Sequence, residues 1–280
     1  GLLDERYQPG DEVFVKFESD AAGKLSGTVT GLKRDKYMAA LVALFVFLLF
    51  LVTKRRGLFF IGSLAVNIAV LTYALHLNYE GKNILMLSNG LVLFFALTSL
   101  CFISGINRKT LIAVLSTLIS LGFTMLLFRI VMAYAGGVDY TYMEYIAGQN
   151  NLSELFLSQI LIGGLGAIMD VAVTEASAIN ELVDKDSGIS ARELIDSGRE
   201  VGYDIMGTMI NIMLFAYICG AFPLIILKMK NNIELHTIIT QQIPMELYRF
   251  IIGSIGILLA IPVTILVSIL IFRKGRRVSC

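Results

Sequence analysis

Asp170 lies inside GGLGAIMDVAVTEASAIN, the fifth of seven stretches apolar enough to cross a bilayer. A carboxylate in hydrocarbon costs several kcal/mol unless it faces protein or water, so an acid there marks an ion or proton pathway by default. Counting about 1.5 Å per residue puts it about 12 Å into the hydrocarbon from the cytoplasmic end of its span, too deep for so short a side chain to snorkel. Thr208 and Asn211 of the sixth stretch reach that depth if the two helices are neighbours, which makes them the expected hydrogen-bond partners. Asp204, one turn before Thr208, and Glu175, five residues after Asp170, fall nearer the interface, where hydration is easier. Together the five side chains form a polar track from the cytoplasm to mid-membrane, the arrangement of a carboxylate proton relay. A structural reading stands beside it: Asp170 as a neutral, hydrogen-bonded acid that fixes helix register, and Asp204 and Glu175 as acids that face headgroups or cap a helix.

Other chemistries find little support. His76 and His236 lie near the outer surface with no Cys, His or carboxylate at ligand spacing, so neither a metal nor a cofactor is expected. No HExxH or GxSxG sequence occurs and no second acid is clearly level with Asp170, so the chain reads as not an enzyme. Cys101, Cys219 and Cys280 lack the spacing of a zinc site or a disulfide framework and read as free thiols.

The elements that must position the acid are membrane helices. Of 280 residues, 56% are hydrophobic and 16% charged, with a mean hydropathy of +0.75, which excludes an ordinary soluble globule. A net charge of +1 with scattered basic residues gives no reason to expect nucleic-acid binding; the partner is the lipid bilayer. A 30 Å core needs about 20 apolar residues, which places spans near 37–53, 58–76, 84–104, 110–135, 154–178, 203–227 and 249–272. Lys54, Arg55 and Arg56, then Arg108 and Lys109, then Arg273, Lys274, Arg276 and Arg277 mark cytoplasmic ends by the positive-inside rule. The N-terminal segment is therefore expected outside and the C-terminus in the cytoplasm.

Small residues indicate where helices approach. Gly163, Gly164 and Gly166 flank Asp170, Gly202 and Gly207 lie on the sixth span, and Gly253, Ser254 and Gly256 on the seventh. These predict a tight bundle of spans five, six and seven around the polar cluster, with Pro262 kinking the last helix. Membrane helices also use glycine for ordinary packing, which is the plainer account of any single one.

Residues 1–36 are different in kind. DEVFVKF and KLSGTVTG alternate as two strands, with Pro9, Gly10 and Asp11 as turn chemistry and Asp20 to Gly23 as the hairpin connection. Two strands are marginal alone, so this segment reads as the remnant of a small, truncated extracytoplasmic β domain, with a floppy arm as the alternative. Gly1 opens the chain without a signal peptide, which fits a processed or truncated form of a longer product. The resulting division is 1–36, then 37–83 with two helices, then a five-helix membrane core over 84–280. Within that core, Ser190 and Glu193 have capping-box spacing, predicting a cytoplasmic amphipathic helix near 190–202 that runs into the sixth span. The outer loop holding Tyr140, Tyr142 and Tyr145 reads as an interfacial aromatic belt or as a substrate entrance.

GGLGAIMDVAVTEASAINEL, ARELIDSGREVGYDIMGTMIN and YRFIIGSIGILLAIPVT resemble the three signature segments of the YibE/F-like family of bacterial multi-pass membrane proteins. The resemblance implies an all-α polytopic membrane protein in the bacterial cell membrane and brings almost no chemistry. Residues 84–272 are more distantly similar to the five-helix membrane half of SecF-type and resistance-nodulation-division proteins, with Asp170 at the acid-bearing motif. That similarity implies proton-coupled transport and a bundle that is half of a pseudo-symmetric pair, hence a homodimer or paralogous heterodimer. The chain departs from it in lacking a large outer loop domain. The expected function is a secondary transporter or proton-coupled export component with Asp170 as protonation site; the alternative is a non-transporting assembly or accessory protein whose polar cluster is structural.

Overall fold

The structure, a computed structural model, describes residues 7–19, 25–54, 56–134, 152–186 and 188–278. The hairpin connection at Asp20 to Gly23, the tyrosines of the outer loop and Cys280 lie outside them. The chain divides into two compact units, Gly1–Ile61 and Gly62–Cys280, a boundary that falls within the second helix.

In the first unit, β1 (Val13–Ser19) and β2 (Leu25–Leu32) pair antiparallel. A bulge between Phe14 and Val15 shifts the register. Phe14, Val15, Phe17 and Val29 all stay exposed, so neither face of this sheet is a core. The helix α1 (Asp35–Thr53) follows, a run of apolar residues none of which is buried in the chain. Its start is tied to the strand start: the Lys33 amide donates to the Glu12 carbonyl at 2.8 Å, and Lys36 Nζ donates to Glu12 Oε1 at 2.7 Å. The Lys36 ammonium holds the Glu12 carboxyl below its ordinary value. A depressed value means this tie is present above the ordinary carboxylate range and is lost as pH falls through the lowered one. Lys36→Gln should move Glu12 back toward the ordinary range, with Lys33 still nearby at 3.8 Å, and a carboxyl-resolved NMR titration that finds Glu12 unmoved would refute the pairing.

The remaining helices are α2 (Arg56–Tyr79), α3 (Ile84–Ser104), α4 (Arg108–Tyr134), α5 (Leu152–Lys185), α6 (Ala191–Lys230), the short α7 (Leu235–Gln241) and α8 (Ile243–Val278). Among the described residues, seven helices are long and apolar enough to cross a membrane, as expected. The additional helix α7 precedes the seventh span, and α8 continues unbroken through Pro262.

Each start has a local cause. Asn83 caps α3 by accepting from the amides of Leu85 and Met86, and its Nδ2 donates to Glu154 Oε2 at 2.7 Å, joining the starts of α3 and α5. Ser190 and Glu193 close the capping box that opens α6, which runs from the amphipathic segment straight into the span. On α2, Asn67 donates to Ser99 Oγ and accepts from Thr98 Oγ1, a polar clamp onto α3 inside two apolar helices.

The core is the triad α4, α5 and α8, each packed on the other two; α3 lies against α4 and α5, and α6 against α5 and α8. About half of the apolar window of α4, α5 and α8 is enclosed, against about a tenth for α6. Most of the membrane-spanning surface of α6 is therefore outward.

Candidate functional site

Layer contacts fix the relative heights of these helices. Thr124 of α4 and Ile168 of α5 both lie beside Gly256 of α8. Toward the other end, Ile112 to Val114 of α4, Ala176 of α5 and Val267 of α8 form one buried cluster. Between α5 and α6, Glu175 Oε1 lies against Gly198 and the Tyr217 hydroxyl against Gly163, so these two helices run antiparallel. At about 1.5 Å per residue, Glu175 stands about 10 Å inward of the level of Arg108, and Asp170 about 7 Å deeper.

That geometry separates the expected cluster into two sites. The first is open. Gln159, Gly163, Gly166, Asp170 and Thr174 are all exposed and recur every three to four residues, so they form one outward stripe along α5. Interpolating between the two antiparallel contacts puts Asp170 level with residues 204–208 of α6, where Asp204, Thr208 and, a turn farther, Asn211 are exposed as well. Shared depth is as expected; the hydrogen bonds are not. Thr208 Oγ1 donates to Ile205 O at 2.8 Å and Asn211 Nδ2 to Gly207 O at 3.0 Å, both within their own helix. Among the described residues, the Asp170 carboxylate has no hydrogen-bond or ion-pair partner, because its stripe points away from the α4–α5–α8 core.

The second site is closed. Glu175, expected near the interface with easy hydration, is instead 0% exposed. Both of its carboxylate oxygens lack a hydrogen-bond partner. The reason is that α6 begins long before its apolar span, and its first turns lay Gly198 and Leu194 over this part of α5. Elsewhere on α4 and α8, sequence reasoning missed a set of buried hydroxyls. Ser116 and Ser120 on α4 and Ser268 on α8 are fully buried and unpaired. Their neighbours Thr117, Thr124 and Thr264 each donate to a carbonyl of their own helix at 2.7 to 2.8 Å.

The glycines divide the same way. Gly163, Gly198, Gly202, Gly253 and Gly256 sit in close helix contacts, whereas Gly164 has only an ordinary contact with its own helix neighbour Ile168. Gly166 and Gly207 have nothing within 4 Å of where a Cβ would stand, so the packing expected of them is absent in this chain: both face outward beside the open stripe. At the far end, Arg249 of α8 donates to Glu246 and to Gln159 of α5 and lies over the Phe156 ring at 5.3 Å, a polar clamp the sequence did not reveal. Among the described residues, no group of three or more His, Cys, Asp or Glu side chains is placed to hold a metal ion.

No curated protein and no solved structure matches the chain. The family model of the YibE/F-like proteins matches residues 41–274, which contain all seven spanning segments except the first turns of α1, and the chain belongs to that family of membrane proteins.

Proposed function

We propose that this protein is a secondary transporter or proton-coupled export component of the bacterial cell membrane, with Asp170 as its intramembrane protonation site. The observation that carries the reading is an unpaired Asp170 carboxylate at mid-membrane depth, level with a second polar helix face. An acid so placed is costly to keep unless it exchanges a proton or an ion. Asp204, nearer the start of the α6 span, offers the step between the aqueous end and Asp170, and Thr208 and Asn211 supply hydroxyl and amide groups along that path. By the distribution of basic residues, the Arg108 and Arg273 ends face the cytoplasm and the two-stranded segment lies outside. The test is proton flux in liposomes carrying the purified protein, with a pH-sensitive dye, an imposed gradient and Asp170→Asn as comparison. Equal flux in both proteins rejects Asp170 as the protonation site.

A second reading is supported by the open stripe itself. Asp170, Thr174, Asp204, Thr208 and Asn211 cannot all face lipid tails without cost, and Gly166 and Gly207 leave room for another backbone to approach. In an assembly or accessory protein this face would be closed by a second copy or a paralogue, with the polar groups as glue. A rotation axis along the membrane normal preserves depth, so Asp170 of one copy meets the level of Thr208 and Asn211 of the other. Native mass measurement in mild detergent should give a dimer. A monomer at working concentration counts against self-association.

A further inference from the structure

We infer that the crevice between α2 and α3 seats one acyl chain of a zwitterionic membrane phospholipid, with the phosphate of its headgroup on the Lys82 ammonium. Two adjoining cavities of about 310 and 530 Å³ lie there, the smaller one walled by α5 as well. Ala74 of α2 and Leu87 and Leu91 of α3 line both, and the walls are almost entirely apolar. Volumes of this size are those of small-molecule sites.

The crevice exists because α2 stands off from its neighbours. Among the described residues, no α-carbon of α2 comes within 8 Å of one in α3 or α5. The short turn through Gly81 and Lys82 joins α2 to α3 at one end, the bonds from Asn67 to Thr98 and Ser99 join them farther along, and the crevice lies between those ties. Gly90 widens it. This residue lines the larger cavity and has nothing within 4 Å of where a Cβ would stand, so no helix contact accounts for its missing side chain. Apolar helices in a bilayer associate through van der Waals contact, which an unfilled gap forfeits and a lipid tail restores. Along α3 the larger cavity runs from Asn83 to Phe94, about 16 Å at about 1.5 Å per residue, which is the depth of one leaflet of a core about 30 Å thick. An extended chain therefore fits with its headgroup at the α2–α3 turn.

The charges at that turn select the headgroup. Lys82 lines the larger cavity, and among the described residues its ammonium has no hydrogen-bond or ion-pair partner. Two acids stand beside it: Glu80, with an oxygen 3.4 Å from His76 Nε2, and Glu154, which accepts from Asn83 Nδ2 at 2.7 Å. A headgroup of net negative charge would meet both acids as well as Lys82. One that carries an ammonium beyond its phosphate finds an opposite charge for each end. Ethanolamine fits better than choline, because its primary ammonium donates N–H bonds to carboxylates.

The site does not rest on the transport reading, and its test needs no turnover. The chain contains no tryptophan, so Tyr73→Trp, on the wall of the larger cavity, supplies its only indole. Fluorescence of the full chain in phosphatidylcholine vesicles is measured as phospholipids with brominated acyl chains, which quench on contact, are added with ethanolamine, choline or glycerol headgroups. The ethanolamine lipid should bind about fivefold more tightly than the glycerol lipid, and Lys82→Gln should weaken its binding by about the same factor. Phe45→Trp on α1, a helix with no buried residue, reports bulk lipid and should show no preference. Gly90→Leu fills the crevice and replaces a helical glycine, so it should remove the preference at Tyr73→Trp while the thermal midpoint in lipid-free detergent falls no lower. Equal affinities at Tyr73→Trp overturn the site, as does a preference that survives Gly90→Leu or Lys82→Gln. Tighter binding of the glycerol lipid overturns the zwitterionic headgroup. Quenching at Tyr73→Trp that falls as protein concentration rises, with Phe45→Trp unchanged, would put a second copy in the crevice instead of a lipid.

Discussion

Proton flux through liposomes should fall by about tenfold or more in Asp170→Asn, because a carboxamide of nearly the same size cannot take up and release a proton. The change is conservative in volume and removes no contact, since the carboxylate has no partner among the described residues. Folding is therefore expected to survive, and a thermal midpoint within a degree or two of the original would make the loss a chemical one. Asp170→Glu keeps the exchanging group and should retain part of the flux. Asp204→Asn should slow flux less than Asp170→Asn does, since water can reach that depth without it. If Asp170→Asn conducts as well as the original protein, the acid serves register or assembly and the accessory reading gains.

The largest structural effect should come from Gly202→Ala. A Cβ at Gly202 would stand 2.5 Å from Ile261 Cγ2, with Cδ1 and Cγ1 of the same side chain at 3.1 and 3.2 Å. Cγ2 is fixed by the first side-chain torsion of a β-branched residue, so it cannot swing away without taking a poor rotamer. Either Ile261 leaves its place in the core or α6 lifts from α8, at a cost of about 1–3 kcal/mol. Gly166→Ala and Gly207→Ala are the controls, because each would place a methyl group in open space. Both should be neutral or slightly stabilising through helix propensity. If Gly207→Ala instead disrupts a dimer while leaving the monomer folded, the open face is an interface.

The two acids illustrate how far local pattern carries. Asp170 is visible in the sequence because a lone charge interrupts an apolar run, and its depth follows from counting residues along a helix. Its surroundings were not legible, since the stripe through Gln159, Gly163, Gly166, Asp170 and Thr174 faces either core or outside depending on which neighbours α5 chooses. Glu175 shows the converse. Judged by the polar stretch that follows it, it belongs near an interface; it is enclosed because the amphipathic start of α6 folds back over α5 at Gly198. The serines Ser116, Ser120 and Ser268 look like any other small residues of a membrane helix until their hydroxyl partners are sought.

The chain by itself determined that this is a polytopic membrane protein, which seven stretches span, where α6 is capped and which segments place it among the YibE/F-like proteins. Those properties depend on hydrophobic length, local hydrogen bonding and residue order, all of which are written along the chain. Only the tertiary structure decided that α4, α5 and α8 form the enclosed triad, that Glu175 is shut in where α6 covers α5 and that Asp170 is left outside. Those outcomes depend on which faces of nearly uniform apolar helices meet, and in such helices a weak amphipathic pattern does not distinguish a face covered by protein from one covered by lipid.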